Sequence, residues 1–306
     1  MNDGIKVSII CNTYNHEKFI KDALDGFINQ KTNFPYEILI HDDASTDDTP
    51  EIIKDYWKKY PDLIRPIFQK SNQYSQGVKI SHTFQYSRVR GKYVASCEGD
   101  DYWTDPYKLQ KQYDALETNQ GVDICAHSAT MLQDGKKYEI VRSKKDKVFS
   151  PGDVILGGGG FVATSSIMYR KELNDAIPPF RVFLPLDYTL QIHGALRGGM
   201  LYLHEKMSVY RLQSSSSAWS TRMAADSSRY NSHIQRVINM LRILNEDTDY
   251  LYNDSVLKRI EYLNFLQLNR QNKFGEILSN RKIMSMLNPK EKAKIIVKYI
   301  LQKFHF

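Results

Sequence analysis

Hydrophobic and polar positions alternate along the first part of the chain in blocks, not singly. Residues 7–11 (VSIIC) form a largely apolar run that stops at Asn12. A short apolar run bounded by polar turn residues predicts a strand buried on both faces. In the segment that follows, Phe19, Ile20, Ala23, Leu24, Phe27 and Ile28 recur at helical spacing and predict a helix with one apolar face. The plan then repeats. Residues 38–40 predict a strand and 42–48 a loop, and a helix opens with Thr49 as N-cap, Pro50 at N1 and Glu51 in the first turn. LIRPIFQ predicts a third strand, in which Pro66 suits an edge or a bulge. Residues 81–91 predict a helix closed by Gly91, 92–101 a fourth strand, 105–119 a helix opened by Asp105 and Pro106, and 122–132 a further strand.

Four strand–helix alternations in about 125 residues predict an α/β fold: a mostly parallel central sheet flanked by helices, with right-handed crossovers. Ligands of such sheets bind beyond the carboxyl ends of the strands. Polar clusters stand at those ends: Asn12, Thr13 and Tyr14 after the first strand, Asp42 and Asp43 after the second, and Glu98, Asp100 and Asp101 after the fourth. Three loops therefore converge on one rim. Past residue 135 the pattern loosens. A helix is expected over 187–196, closed by Gly198 and Gly199, then a strand pair or one bent strand from 200, a flexible serine-rich segment, and helices from about 224. The expected division is an α/β domain over 1–220, with halves 1–115 and 116–220, and a helical C-terminal region over 221–306.

Composition changes this picture little. The length of 306 residues suits one large domain or one domain with an appendage, and 42% hydrophobic residues suffice for a core. Cys11, Cys97 and Cys125 are odd in number and lack metal-ligand spacing, so they read as buried thiols, not as disulfides or a zinc site. No apolar run is long enough for a membrane span, and the N-terminus lacks a signal-peptide pattern. Charge is more informative. Residues 281–306 carry seven Lys/Arg against Glu291, a net +6 of the chain's +7. The tail 290–306 reads either as a basic amphipathic helix on an anionic membrane surface or as a core or dimer helix with a solvated lysine face. The body has no basic–aromatic platform, which argues against nucleic acid.

The acids at 98–101 need compensation, and no Lys or Arg follows until Lys108. One reading is a solvated acidic turn that precedes the next helix. The other is a divalent cation, Mg²⁺ or Mn²⁺, held by one or two carboxylates and a substrate diphosphate. The three converging rim clusters favour the second.

VSIICNTYN, YEILIHDDASTDDT and YVASCEGDDYW, in that order and spacing, resemble the start of the family 2 inverting glycosyltransferases of the GT-A fold, of the bacterial cell-surface polysaccharide type. The resemblance covers about residues 5–115. It implies a metal-dependent, inverting transfer from a nucleotide-sugar, with a UDP-sugar expected, to a hydroxyl of a glycan, lipid-linked or glycoprotein acceptor. By position, Asn12, Thr13, Tyr14, Asp43 and Ser45 would bind the donor. Asp100 and Asp101 would hold the metal and diphosphate, with Glu98 at the acidic first position of the DxD-type motif. Asp187, before an apolar helix face, would be the base. Arg211 in the Tyr-Arg step would meet the diphosphate, although Gln213 stands where a His often follows. Trp103 and Phe161 are assigned to the acceptor region. The glycines at 157–160 would form a flexible wall beside it, and the serine-rich segment a lid or a linker. A sugar nucleotidyltransferase and an inactive sugar-nucleotide-binding scaffold are the competing readings. The expected location is the cytoplasm, with the tail at the inner face of the cell membrane or in a homo-oligomer.

Overall fold

The strands β1 (Val7–Thr13), β2 (Tyr36–Asp42), β3 (Ile64–Phe68) and β4 (Tyr93–Ser96) lie parallel in the order β3-β2-β1-β4. The structure, a computed structural model, describes residues 4–212 and 219–304. The remaining strands are β5 (Tyr102–Trp103), β6 (Ile124–Gln133), β7 (Lys136–Ile140), β8 (Lys147–Phe149), β9 (Met168–Arg170) and β10 (Met200–Arg211). The sheet continues from β4 through β9, β6 and β10 to β5, with β7 on β6 and β8 on β10. β9 runs antiparallel to both neighbours, whereas β6 and β10 are parallel to each other. Pro66 lies in β3, at the sheet edge, opposite Ile40. β10 is one bent strand, with register shifts between Leu203 and Ser208.

The helices are α1 (Ile20–Ile28), α2 (Thr49–Lys59), α3 (Lys108–Thr118), α4 (Pro151–Gly157), α5 (Pro179–Phe183), α6 (Asp187–Leu196), α7 (Trp219–Ala225), α8 (Ser227–Asp247), α9 (Asn253–Arg270), α10 (Phe274–Ser279), α11 (Arg281–Met286) and α12 (Pro289–Lys303). Successive strand residues point to opposite faces, and both faces are covered. Ile9, Cys11, Ile38 and Ile40 pack with Leu24, Phe27 and Leu116 on one side. Ile10, Leu39 and Val94 face the other side with Tyr188, Ile192 and, from α8 and α9, Leu241 and Leu263. This double burial is why the strands read as apolar runs. A separate cluster of Phe265, Phe274, Ile277, Ile283 and Ile295 joins α9 to α12.

Two local expectations change. Thr49 does not cap its own helix: Asp48 occupies the N-cap position, and the Thr49 hydroxyl accepts from the His16 backbone amide at 2.8 Å. Residues 81–91 do not form a regular helix. They wind as one wide turn over Ser81–Gln85 and one tight turn over Tyr86–Arg88. The wide turn carries the buried Gln85 amide inward, where it donates to the carbonyls of Cys11 (3.2 Å) and Leu39 (3.3 Å). Gly91 is required by close approach instead of by a helix end: a Cβ there would lie 2.6 Å from Ser8 N.

Candidate active site

The rim is knitted from the ends of β1, β2, β4 and β10. Asp43 N donates to the Thr13 carbonyl at 3.0 Å and Gly99 N to the Asn12 carbonyl at 2.9 Å, so three polar loops are tied at adjacent backbone positions. Ser45 donates its hydroxyl to Asp42 (2.5 Å) and accepts from Asn15 N (2.9 Å). Asn15 takes a left-handed conformation (φ 55°), which a short amide side chain tolerates. Ser45 thus stiffens the rim from behind. Asp43 is buried, and its two carboxylate oxygens accept from Gln73 N (2.8 Å) and Tyr74 N (3.0 Å). Its visible work is to fold the segment after β3 over the rim.

Asn12 and Thr13 end β1, with half-buried Tyr14 beyond them. Asn12 donates to the Ser81 hydroxyl at 3.1 Å, and its amide lies near enough to Glu98 to favour the charged carboxylate. The Thr13 hydroxyl oxygen and His16 Nδ1 are buried and have no hydrogen-bond partner among the described residues. Both crowd Gly99, where a Cβ would meet Thr13 Oγ1 at 2.8 Å and His16 Nδ1 at 3.0 Å. His16 Nε2 lies 4.0 Å from Asp100. Burial lowers the His16 pKa, against the pull of Asp100, Asp47 and Asp42.

The carboxylates of Glu98, Asp100, Asp101 and Asp187 converge across the cleft. Burial, followed by the charges of Asp187 and Asp100, pushes Glu98 up to about 8, although Asn12 works in the opposite sense. Asp101 is fully buried and is raised well above the usual range by burial and Asp100. Asp187 opens α6 and is exposed to the cleft, yet protein surrounds it on its other sides. That desolvation raises its pKa, and the Thr164 hydroxyl, which donates to it, opposes the rise. Burial therefore outweighs the acidifying field expected at a helix N-terminus. Tyr210 stands among these acids, its hydroxyl pKa raised by burial and then by Asp101, Asp100 and Asp187.

Arg211 is held at the rim by its neighbours. Its guanidinium donates to the Asp100 carbonyl (2.7 Å) and to Asp22 (2.5 Å), between the rings of Phe19 and Tyr102. What it gives the acid cluster directly is its backbone amide, 2.8 Å from Asp101. Gln213 and the serine-rich stretch 214–218 lie outside the described residues.

Trp103 and Phe161 do not present an acceptor surface: they are 4% and 6% exposed. The Trp103 indole packs edge-on to Phe27 and donates to the Ser165 carbonyl at 2.9 Å. Phe161 packs edge-on to Phe149. Nor are the glycines at 157–160 a loose wall. Arg142 donates to the carbonyls of Gly160 and Phe161, and a Cβ at Gly157 or Gly158 would strike the Phe161 ring or the Arg259 guanidinium.

A divalent cation fits this cluster by charge, since four carboxylates repel one another and the Arg211 guanidinium offsets them only in part. Among the described residues no group of three His, Cys, Asp or Glu forms a ready cage. An ion here would need ligands from a bound diphosphate, as Mg²⁺ and Mn²⁺ commonly do. Three residues of this site escaped the sequence: His16, Thr164 and Tyr210. Tyr210 had a signal, as the first half of the Tyr-Arg step. The other two had none, because their partners are remote in sequence.

Comparison with known proteins agrees with this geometry. An uncharacterized protein of Mycobacterium tuberculosis is 40% identical over 214 residues, 67% of this chain. The chain spans 58% of that relative's length. Staphylococcus aureus TarS, solved in complex with UDP-GlcNAc, superposes with a TM-score of 0.62 at 18% identity, over 96% of this chain and 79% of TarS. The mannosyltransferase PcManGT from Pyrobaculum calidifontis, solved with GDP-Man and Mn²⁺, gives a TM-score of 0.56 at 13% identity, over 97% of this chain and 86% of that enzyme. Those two likenesses establish the GT-A fold. The sequence profile described as "Glycosyl transferase family 2" matches residues 8–177, more than half of the chain, and the chain belongs to that family.

Proposed function

We propose that this protein is an inverting, metal-dependent glycosyltransferase. It moves a sugar from a nucleoside-diphosphate donor, with UDP-sugar preferred, to a hydroxyl of a glycan, lipid-linked or glycoprotein acceptor. The observation that carries the reading is Asp187. It is a carboxylate at the start of α6, open to the cleft, with a pKa raised by burial, and it faces the acid cluster at the end of β4. Inversion needs a base on the side of the sugar opposite the leaving diphosphate. Asp187 is that base, and the Thr164 hydroxyl holds it in place. Asn12, Thr13 and Tyr14 line the donor side, with His16 packed behind them against Gly99. Asp43 and Ser45 shape that wall from behind. Asp100 and Asp101 would hold Mn²⁺ or Mg²⁺, with Glu98 beside them. The bound ion would neutralise the charge of the leaving diphosphate.

The catalytic unit is residues 1–220, with the nucleotide half at 1–115, and the helices of 221–306 buttress it through α8 and α9. Calorimetric titration with UDP, GDP and CMP, each with and without Mn²⁺, tests the donor assignment. Tight UDP binding that requires Mn²⁺ is the expected result. Equal affinity for all three nucleotides, or none for any, would overturn it.

A further inference from the structure

α12 is a helix with two apolar faces, of which the fold uses one. It is firmly begun: Asn288 accepts from Glu291 N, Glu291 accepts from Asn288 N, and Pro289 takes the first turn. On the inner face Ile295 is buried in the cluster with Phe274, and Tyr299 packs against Gly275 and that cluster. Lys298 donates to Asn269 at 3.3 Å, which ties the helix to α9. At 3.6 residues per turn, Ile296, Val297, Ile300, Leu301 and Phe304 fall together on another side. Each is between 43% and 69% exposed. Their spacing of i, i+1, i+4, i+5 and i+8 is that of a continuous stripe.

The charges beside this stripe are of one sign. The same rotation puts Lys290 and Lys294 along one flank and Lys292 and Lys303 along the other. The only acid of α12, Glu291, is taken up in the N-terminal cap. No helix of the described residues is long and apolar enough to cross a membrane. An apolar stripe bordered on both sides by lysines matches a surface with apolar chains below and negative headgroups at its level. Lysine stems extend along the apolar surface while their ammonium groups reach the headgroups. A second copy of this helix would instead bring two lysine flanks against each other, which like-charge repulsion opposes.

We propose that the outer face of α12 docks the protein on an anionic lipid bilayer, lying in the interface plane with Ile296, Ile300 and Phe304 turned toward the acyl chains. This inference stands apart from the transferase reading, because vesicle binding is measured without any turnover.

The experiment is co-sedimentation of the full chain with vesicles of equal parts phosphatidylglycerol and phosphatidylcholine, against vesicles of phosphatidylcholine alone. Ile300→Glu with Phe304→Glu, and separately Lys290→Glu with Lys294→Glu, are compared with the unaltered chain. All four side chains are exposed, so circular dichroism is expected to show unchanged helix content. The unaltered chain is expected to bind the anionic vesicles at least tenfold more than the neutral ones, with raised salt weakening binding. Each double variant is expected to lose at least tenfold. Equal binding to both vesicle types, or double variants that sediment like the parent, would overturn the proposal. So would sedimentation velocity showing a dimer that Ile300→Glu with Phe304→Glu dissociates while the parent ignores vesicles, since the stripe would then belong to a second copy.

Discussion

The backbone amide of Arg211 donates to a carboxylate oxygen of Asp101 across 2.8 Å, joining the end of β10 to the acid loop after β4. The two residues are 110 positions apart in sequence. This bond ties the acid loop after β4 to the end of β10.

Asp101→Ala leaves that partly buried amide without its partner, at a cost of about 1 kcal/mol. Urea denaturation is expected to report that loss, and calorimetry a UDP affinity that no longer responds to Mn²⁺. Unaltered Mn²⁺ dependence would remove Asp101 from the metal site.

Asp187→Asn keeps the shape of the site and its acceptor capacity for Thr164 but not the basicity. Transfer is expected to fall about 10²–10⁴-fold, with nucleotide affinity preserved. Rate and binding must be measured on the same preparation. Full transfer by the variant would place the base elsewhere.

Glu98 makes stability depend on pH. Its folded pKa of about 8 lies above its ordinary 4.5, so the folded state holds a proton that the unfolded chain releases. The contribution is fully present below 4.5 and is lost as pH rises through 8. Between those values the unliganded parent is expected to lose stability relative to Glu98→Gln, as read from urea midpoints at several pH values. A constant difference across that window would contradict the assignment.

Lys108 has the opposite slope. Burial lowers its pKa from 10.5 to about 7, although Gln112 accepts from its ammonium at 2.7 Å and the Trp103 ring lies 3.9 Å away. Its folded pKa is depressed, so its contribution is complete above 10.5 and is lost as pH falls through 7. Lys108→Met is expected to be more stable than the parent near pH 6 and to lose that advantage toward pH 10. Thermal unfolding across that range checks the sign.

Gly91→Ala tests packing alone. Its Cβ would fall 2.6 Å from Ser8 N and 2.7 Å from the Val7 carbonyl carbon, which are backbone atoms that cannot rotate away. Overpacking of this kind costs about 1–3 kcal/mol, and a matching drop in the urea midpoint is expected.

Much of the architecture around β1, β2 and β4 was legible because it rests on local periodicity. The runs at 7–11 and 38–40 are apolar throughout because both faces of β1 and β2 are covered, and Asn12, Asp42 and Glu98 mark where that burial ends. Asp187 was likewise legible as the residue ahead of an apolar helix face. Residues 81–91 were not. Their helical spacing is real, but Gln85 gains more by reaching the Cys11 and Leu39 carbonyls than by continuing a regular helix. Trp103 and Phe161 misled for a related reason: an aromatic beside a candidate site can face ligand or core, and only its neighbours decide.

The sequence by itself determined the alternating elements, the three polar loops at one rim and the basic apolar-striped tail, since each follows from the order of side chains along a few turns or strands. Only the tertiary structure decided which carboxylates share a cleft, that burial outweighs the helix field at Asp187, that Arg211 offers its backbone amide to Asp101, and which face of α12 the fold leaves uncovered. Those outcomes depend on desolvation and contact between residues tens to hundreds of positions apart, and no local pattern encodes that proximity.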